Sequence, residues 1–162
     1  KHVVERDFQG NWGEKGFRRF MSGYEVALQD WRKMRKALEA LRTERGMSIV
    51  LLEHIDIRPF KNPAGADYDR YQPICHPKSW YVIKKWADTI LFYDWYTEVE
   101  KEGSSRAKGK GGTSRVLYST RYALNPDAKS RLKLPAEIEG GASGEEAWLN
   151  LSTEIAKARK EN

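Results

Sequence analysis

Leu38-Glu39-Ala40-Leu41-Arg42-Thr43-Glu44-Arg45-Gly46-Met47-Ser48-Ile49-Val50-Leu51-Leu52-Glu53-His54 holds two kinds of local order joined at one glycine. Its first half ends a helical pattern. Tyr24, Ala27, Leu28, Trp31, Met34, Leu38 and Leu41 recur at spacings of three and four, one apolar stripe at helical period. Ser22 with Glu25 three residues later has the form of a capping box, and Gly46 supplies a left-handed stop. The pattern predicts a helix over Ser22–Arg45. The second half, residues 47–53, is a nearly continuous apolar run with β-branched residues. Such a run suits a strand buried on both faces, hence a parallel sheet. Helix, tight turn and buried strand form the second half of a βαβ unit, so a strand is expected before residue 1.

Upstream, residues 1–20 are rich in Gly, Lys and aromatics (Phe8, Trp12, Phe17, Phe20) without a period, which reads as a long loop with a short helix. Downstream, residues 55–77 contain five Pro or Gly and read as a long loop at the carboxyl end of the strand, where open α/β sheets place function. A short helix over 78–87 and a β-like run over 89–96 follow. Residues 98–112, charged and Gly-rich, predict a mobile tip. Residues 115–122 have strand composition and are expected to pair with 92–99 as a hairpin. A short strand is expected over 128–132, ended by Pro135. The expected organisation is 1–135 as one α/β core, 136–144 as a Gly-rich linker, and 145–162 as a peripheral helix begun at Ser143.

The chain has 162 residues, 40% hydrophobic, 32% charged and 12% aromatic, a globular composition of about one domain's length. The longest apolar run is too short to span a bilayer, so no membrane role is expected. The single cysteine, Cys75, excludes an internal disulfide and suits a reducing cytoplasm. The net charge is +6, which favours an anionic partner. That charge is localised. Residues 101–135 carry nine Lys/Arg against Glu102 and Asp127, a net of +7, whereas residues 136–162 are net −3. Either a solvated basic loop or a phosphate-contacting arm accounts for this segment.

Several chemistries fail on spacing. No Gly-x-x-x-x-Gly-Lys-Ser/Thr phosphate loop and no Gly-x-Gly-x-x-Gly occurs. His2, His54, His76 and Cys75 lack the spacing of a zinc site, and no metal site is expected. No Ser/His/Asp set assembles from spacing.

Residues 31–92 resemble the RecA-like P-loop (AAA-type) ATPases encoded by phages and prophages, which act with single-strand-binding or annealing proteins. The boxes are Trp31-Arg32, the Leu38 to Gly46 stretch, His54, Arg58-Pro59-Phe60, Tyr68-Asp69-Arg70-Tyr71 and Trp86-Ala87-Asp88. A weaker likeness extends to Lys129-Ser130-Arg131 and Leu134-Pro135. The resemblance implies the C-terminal half of a RecA-like core, a mostly parallel sheet flanked by helices with an antiparallel hairpin extension. Its Walker motifs would precede residue 1. ATP and Mg2+ would then be cofactors of the parent protein, with none expected for this chain alone. Single-stranded DNA, self-association into a ring or filament, and a single-strand-binding or annealing protein would be its partners.

The resemblance makes His54 a sensor of the γ-phosphate; a His bonded to a loop carbonyl is the alternative. Glu53, where the family has a small residue, either positions water or forms an ion pair. Tyr68, Arg70 and Tyr71, with Arg58 and Lys61, are candidate single-stranded DNA contacts; a loop packed on its own tyrosines is the alternative. Lys129 and Arg131 stand where the family reaches a neighbouring subunit's phosphates, or are exposed cations on an edge strand. Lys108, Lys110 and Arg115 are diffuse nucleic-acid contacts or plain solvent loop. Trp31, Trp86 and Trp95 are expected in the core. Besides the ATPase, a non-catalytic basic module for single-stranded nucleic acid and an assembly domain remain open.

Overall fold

The structure is a computed structural model that describes residues 1–100 and 108–161, with side chains for 1–96 and 111–161. Its elements are α1 (His2–Phe8), a 3-10 turn (Arg19–Met21), α2 (Ser22–Arg45), β1 (Ile55–Phe60), β2 (Tyr68–Pro73), α3 (Pro77–Trp86), β3 (Thr89–Ile90), β4 (Phe92–Glu100), β5 (Lys108–Tyr118), β6 (Lys129–Ser130), β7 (Glu137–Gly141) and α4 (Gly144–Lys160). Two compact units form, Lys1–Asp56 with Gln72–Trp86, and Ile57–Tyr71 with Ala87–Asn162.

The first unit is helical. Helix α2 occupies the predicted range and stops at Gly46, whose φ of 63° is left-handed and whose N–H donates to the Leu41 carbonyl. Its N-terminus differs from the capping-box expectation. Met21 holds the cap position at φ 60°, and no side chain caps the helix. The apolar stripe is covered mainly towards that end. Leu28 is 6% exposed, whereas Met34 and Leu41 are 39% and 41% exposed. Residues 1–20, expected as a long loop with a short helix, contain α1 and supply the cover. Phe17 packs edge-on against Phe8 and Tyr24, at centroid distances of 5.6 and 5.0 Å, and Trp12 lies 5.4 Å away. Gly23 is buried beneath Phe17, and a Cβ there would collide with the ring and with the Phe17 carbonyl. Helix α3 is tied to α2 by a Lys78–Glu25 ion pair and by Trp86, whose indole N–H donates to Glu39 at 2.5 Å.

The segment after α2 departs from expectation. Residues 47–53 form no strand, and Val50 and Leu52 are 67% and 93% exposed. A strand exists only with a partner for its backbone, and among the described residues none pairs with this run. Instead its end is fixed by two bonds. The Ile74 N–H donates to the His54 carbonyl at 3.0 Å, and the Cys75 N–H donates to Glu53 Oε1 at 3.0 Å. The parallel sheet expected around this run is accordingly not formed here. Residues 55–77 are not a plain loop, since β1 and β2 form a two-stranded sheet. Asn62 and Asp67 close the turn between them, the Asn62 N–H donating to Asp67 Oδ1 at 3.0 Å. The prolines that argued for a loop, Pro59 and Pro73, are tolerated in so small a sheet because every strand is an edge.

The second unit is built on antiparallel pairing. Strand β5 lies between β4 and β7. The expected hairpin forms with Trp95 opposite Arg115 and Phe92 opposite Tyr118, and carries a bulge between Trp95 and Thr97. Residues 98–100 and 108–112, expected in a mobile tip, are strand; residues 101–107 lie outside the described residues. Strand β6 falls within the predicted 128–132 and pairs with β3, Thr89 opposite Ser130. The glycines at 140 and 141, expected in a linker, belong to β7. Position 140 must be small, because a Cβ would collide with the backbone of Arg115 across the ladder. Helix α4 begins at Ser143 as expected, and the Ser143 side chain accepts the Glu146 N–H. It is not peripheral: it packs on β7 and buries Ala147 and Ala158.

Candidate functional site

The sequence candidates fall on both units. On the first, Glu53 and His54 are exposed. Glu53 accepts the Cys75 N–H on one carboxylate oxygen. The His54 carbonyl is held by Ile74, which fixes the residue's backbone and leaves its exposed imidazole to solvent. Next along the chain, His76 stacks on Tyr24 at 4.2 Å. Cys75 is half-buried, and burial, then the Glu53 charge, push its thiol up to about 11. It is a protonated thiol at neutral pH, without nucleophilic character.

On the second unit, β1 and β2 bring Phe60, Tyr68 and Arg70 together. The Phe60 and Tyr68 rings meet edge-on at 5.3 Å, and the Arg70 guanidinium lies 3.9 Å over Phe60. Arg58 is half-buried and Lys61 exposed. Tyr71 behaves differently from its neighbours. Its ring packs 4.8 Å from Phe92, in a cluster with Tyr118 and Tyr122. Burial first, then Asp94, hold its phenol above the ordinary range. Tyr122 in the same cluster is pushed up to about 12, again mainly by burial. These tyrosines are neutral packing groups.

Lys129 sits in β6, opposite Ile90, and is half-buried. Arg131 is exposed and pairs with Asp88 at 2.6 Å, while its backbone N–H donates to the Asp88 carbonyl. An exposed pair of this kind contributes about 0–1 kcal/mol. Lys108 and Lys110 lie on β5 by backbone, but their side chains lie outside the described residues.

Arg115 stacks on Trp95, its guanidinium 3.8 Å from the ring centroid and 5.9 Å from that of Tyr93. Trp95 was expected in the core but is 45% exposed. Sequence reasoning missed Trp95 and Tyr93 as surface groups. Their odd numbering against the buried Phe92 is the signal that separates the two faces of the strand.

Among the described residues no group of three or more His, Cys, Asp or Glu could hold a metal ion. Among the described residues no helix is long and apolar enough to cross a membrane.

Residues 6–132 match a family model described as an AAA domain. The chain belongs to that family of AAA-type P-loop ATPases, which points to an ATPase-like, nucleotide-binding function with nucleotide and Mg2+ used by parent proteins. No curated protein and no solved structure gives a match.

Proposed function

We propose that the chain is the C-terminal portion of a RecA-like ATP-hydrolysing protein that acts on single-stranded DNA in phage recombination or replication. The observation that carries this is the family match over residues 6–132, on a sequence that holds the family-like boxes in order but no phosphate loop. In this reading the nucleotide-holding residues belong to a preceding part of the parent protein. The apolar run 47–53, which forms no strand in this structure, is in this reading one that pairs only within the parent protein's parallel sheet. His54 stands at the end of that run as the sensor. Lys129 and Arg131 reach a neighbouring copy's nucleotide in a ring or filament. Arg58, Lys61, Tyr68 and Arg70 contact DNA, supported by the cation and rings that β1 and β2 gather. A single-strand-binding or annealing protein is the further partner.

Steady-state ATP turnover tests the proposal. The parent protein is expected to hydrolyse ATP faster with single-stranded DNA, and the 162-residue chain alone to show neither turnover nor tight ATP binding. Turnover by the isolated chain, or a parent indifferent to DNA, contradicts it. A second reading, a non-catalytic module for single-stranded nucleic acid, is favoured by the +7 charge of residues 101–135. It predicts salt-dependent binding without any ATPase partner segment.

A further inference from the structure

Among the residues of the three-stranded sheet whose side chains are described, charge separates by face. Register places Asp94 opposite Val116 and Val116 opposite Glu139, while Phe92 is opposite Tyr118 and Tyr118 opposite Glu137. All three carboxylates therefore share the face of the buried Phe92. The Tyr118 phenol reports this, being held above its ordinary range by burial, then by Glu137 and Asp94. The other face carries Tyr93 opposite Leu117, Leu117 opposite Ile138, and Trp95 opposite Arg115. Leu117 and Ile138 are buried, whereas Tyr93 and Trp95 are each 45% exposed. Among the described residues Arg115 is thus the one charged side chain that register places with them, and it lies flat, 3.8 Å from the Trp95 centroid. One of its terminal nitrogens donates to the Ala142 carbonyl at 3.4 Å, which anchors the plane. Its partner across β7 is Gly141, and the Glu146 side chain occupies the space that a side chain at 141 would take. The nearby Glu146 carboxylate is occupied by the Ala142 N–H at 2.8 Å.

We propose that Trp95, Arg115 and Tyr93 form a stacking platform for the bases of single-stranded nucleic acid. A guanidinium already seated on an indole presents a rigid, flat cation. A base stacks on such a plane or on the adjoining ring. The same charge, with the basic segment in which Arg115 lies, meets the phosphates. The complement is single-stranded, because a duplex hides the base faces in its own stack. The platform rests on the nucleic-acid part of the function proposed above, and adds a site on the β4–β5 hairpin distinct from the Tyr68–Arg70 group.

Binding of a fluorescein-labelled oligothymidine to the full 162-residue chain, followed by anisotropy at low and high salt, tests this. Trp95→Ala is expected to weaken binding about tenfold, within the range of one lost base stack. Trp95→Phe is expected to keep most of the affinity. Arg115→Lys is expected to weaken binding several-fold although charge is kept, since an ammonium does not stack. Trp148→Ala, on the exposed surface of α4, is expected to bind as the wild type. Trp95→Ala and Arg115→Lys both binding like the wild type overturns the platform while leaving the DNA reading intact, as does an equal loss in Trp148→Ala. A wild-type chain that does not bind the oligothymidine at low salt overturns the DNA reading and the platform with it. Wild-type preference for a duplex overturns the platform alone.

Discussion

Glu39 shows how one carboxylate couples two helices. Arg42, four-fifths of a turn further on, donates to it at 2.5 Å, and Trp86 of α3 donates its indole N–H. Arg42 first, then Trp86, hold the Glu39 carboxyl down to about 2, from an ordinary 4.5. A depressed carboxylate stabilises the fold fully above its unfolded value and loses that contribution as pH falls towards the folded value. Glu39→Ala is therefore expected to lower the melting temperature at pH 7, and the two proteins' melting temperatures should converge as pH drops from 4.5 to about 2. Thermal melts across that window check it. Cys75 gives a second prediction at this scale. With its thiol near 11, only about one in a thousand molecules carries the thiolate at pH 8, so alkylation should be far slower than for a free cysteine. Glu53→Gln removes the charge that adds to the effect of burial and should speed alkylation, read as the rate of iodoacetamide labelling.

At the scale of elements, the two helix starts that look alike in sequence behave oppositely. Ser143 caps α4 by accepting the Glu146 N–H at 3.1 Å, whereas Ser22 lies inside α2, behind a left-handed Met21. Ser143→Ala is expected to cost about 1 kcal/mol in denaturant melts, and Ser22→Ala to show no loss of a cap. Gly23→Ala should destabilise by about 1–3 kcal/mol, because the new methyl meets Phe17. Helix α2, α3, the Phe92 to Tyr118 hairpin and the Ser143 helix start were legible because each follows from local period or local capping. The aromatic cover from residues 8–17 was not, since its contacts carry no period. Residues 47–53 were misread for the same reason inverted. Their local pattern is that of a buried strand, but burial is a property of neighbours, and the pattern does not supply them. Trp95 was misplaced because a tryptophan's face depends on register, which local composition around the Gly-rich tip does not fix.

For the whole molecule, the net charge of +6 is less informative than its placement. The family match spans residues 6–132, and so includes the exposed apolar run, the sensor candidate His54, and the Lys129–Arg131 pair. Of the site, the residue types were legible, but their company was not. Tyr71 spends its ring on Phe92, Arg131 on Asp88, and Arg115 on a tryptophan that sequence had assigned to the core. In the proposed function His54 is the γ-phosphate sensor of a parent ATPase stimulated by single-stranded DNA. The direct measurement is DNA-stimulated ATP turnover of the parent protein with His54→Ala. Loss of at least about tenfold in kcat, roughly 1.4 kcal/mol of barrier, with ATP binding retained, is the predicted result. Turnover and DNA stimulation equal to the wild type's would contradict it.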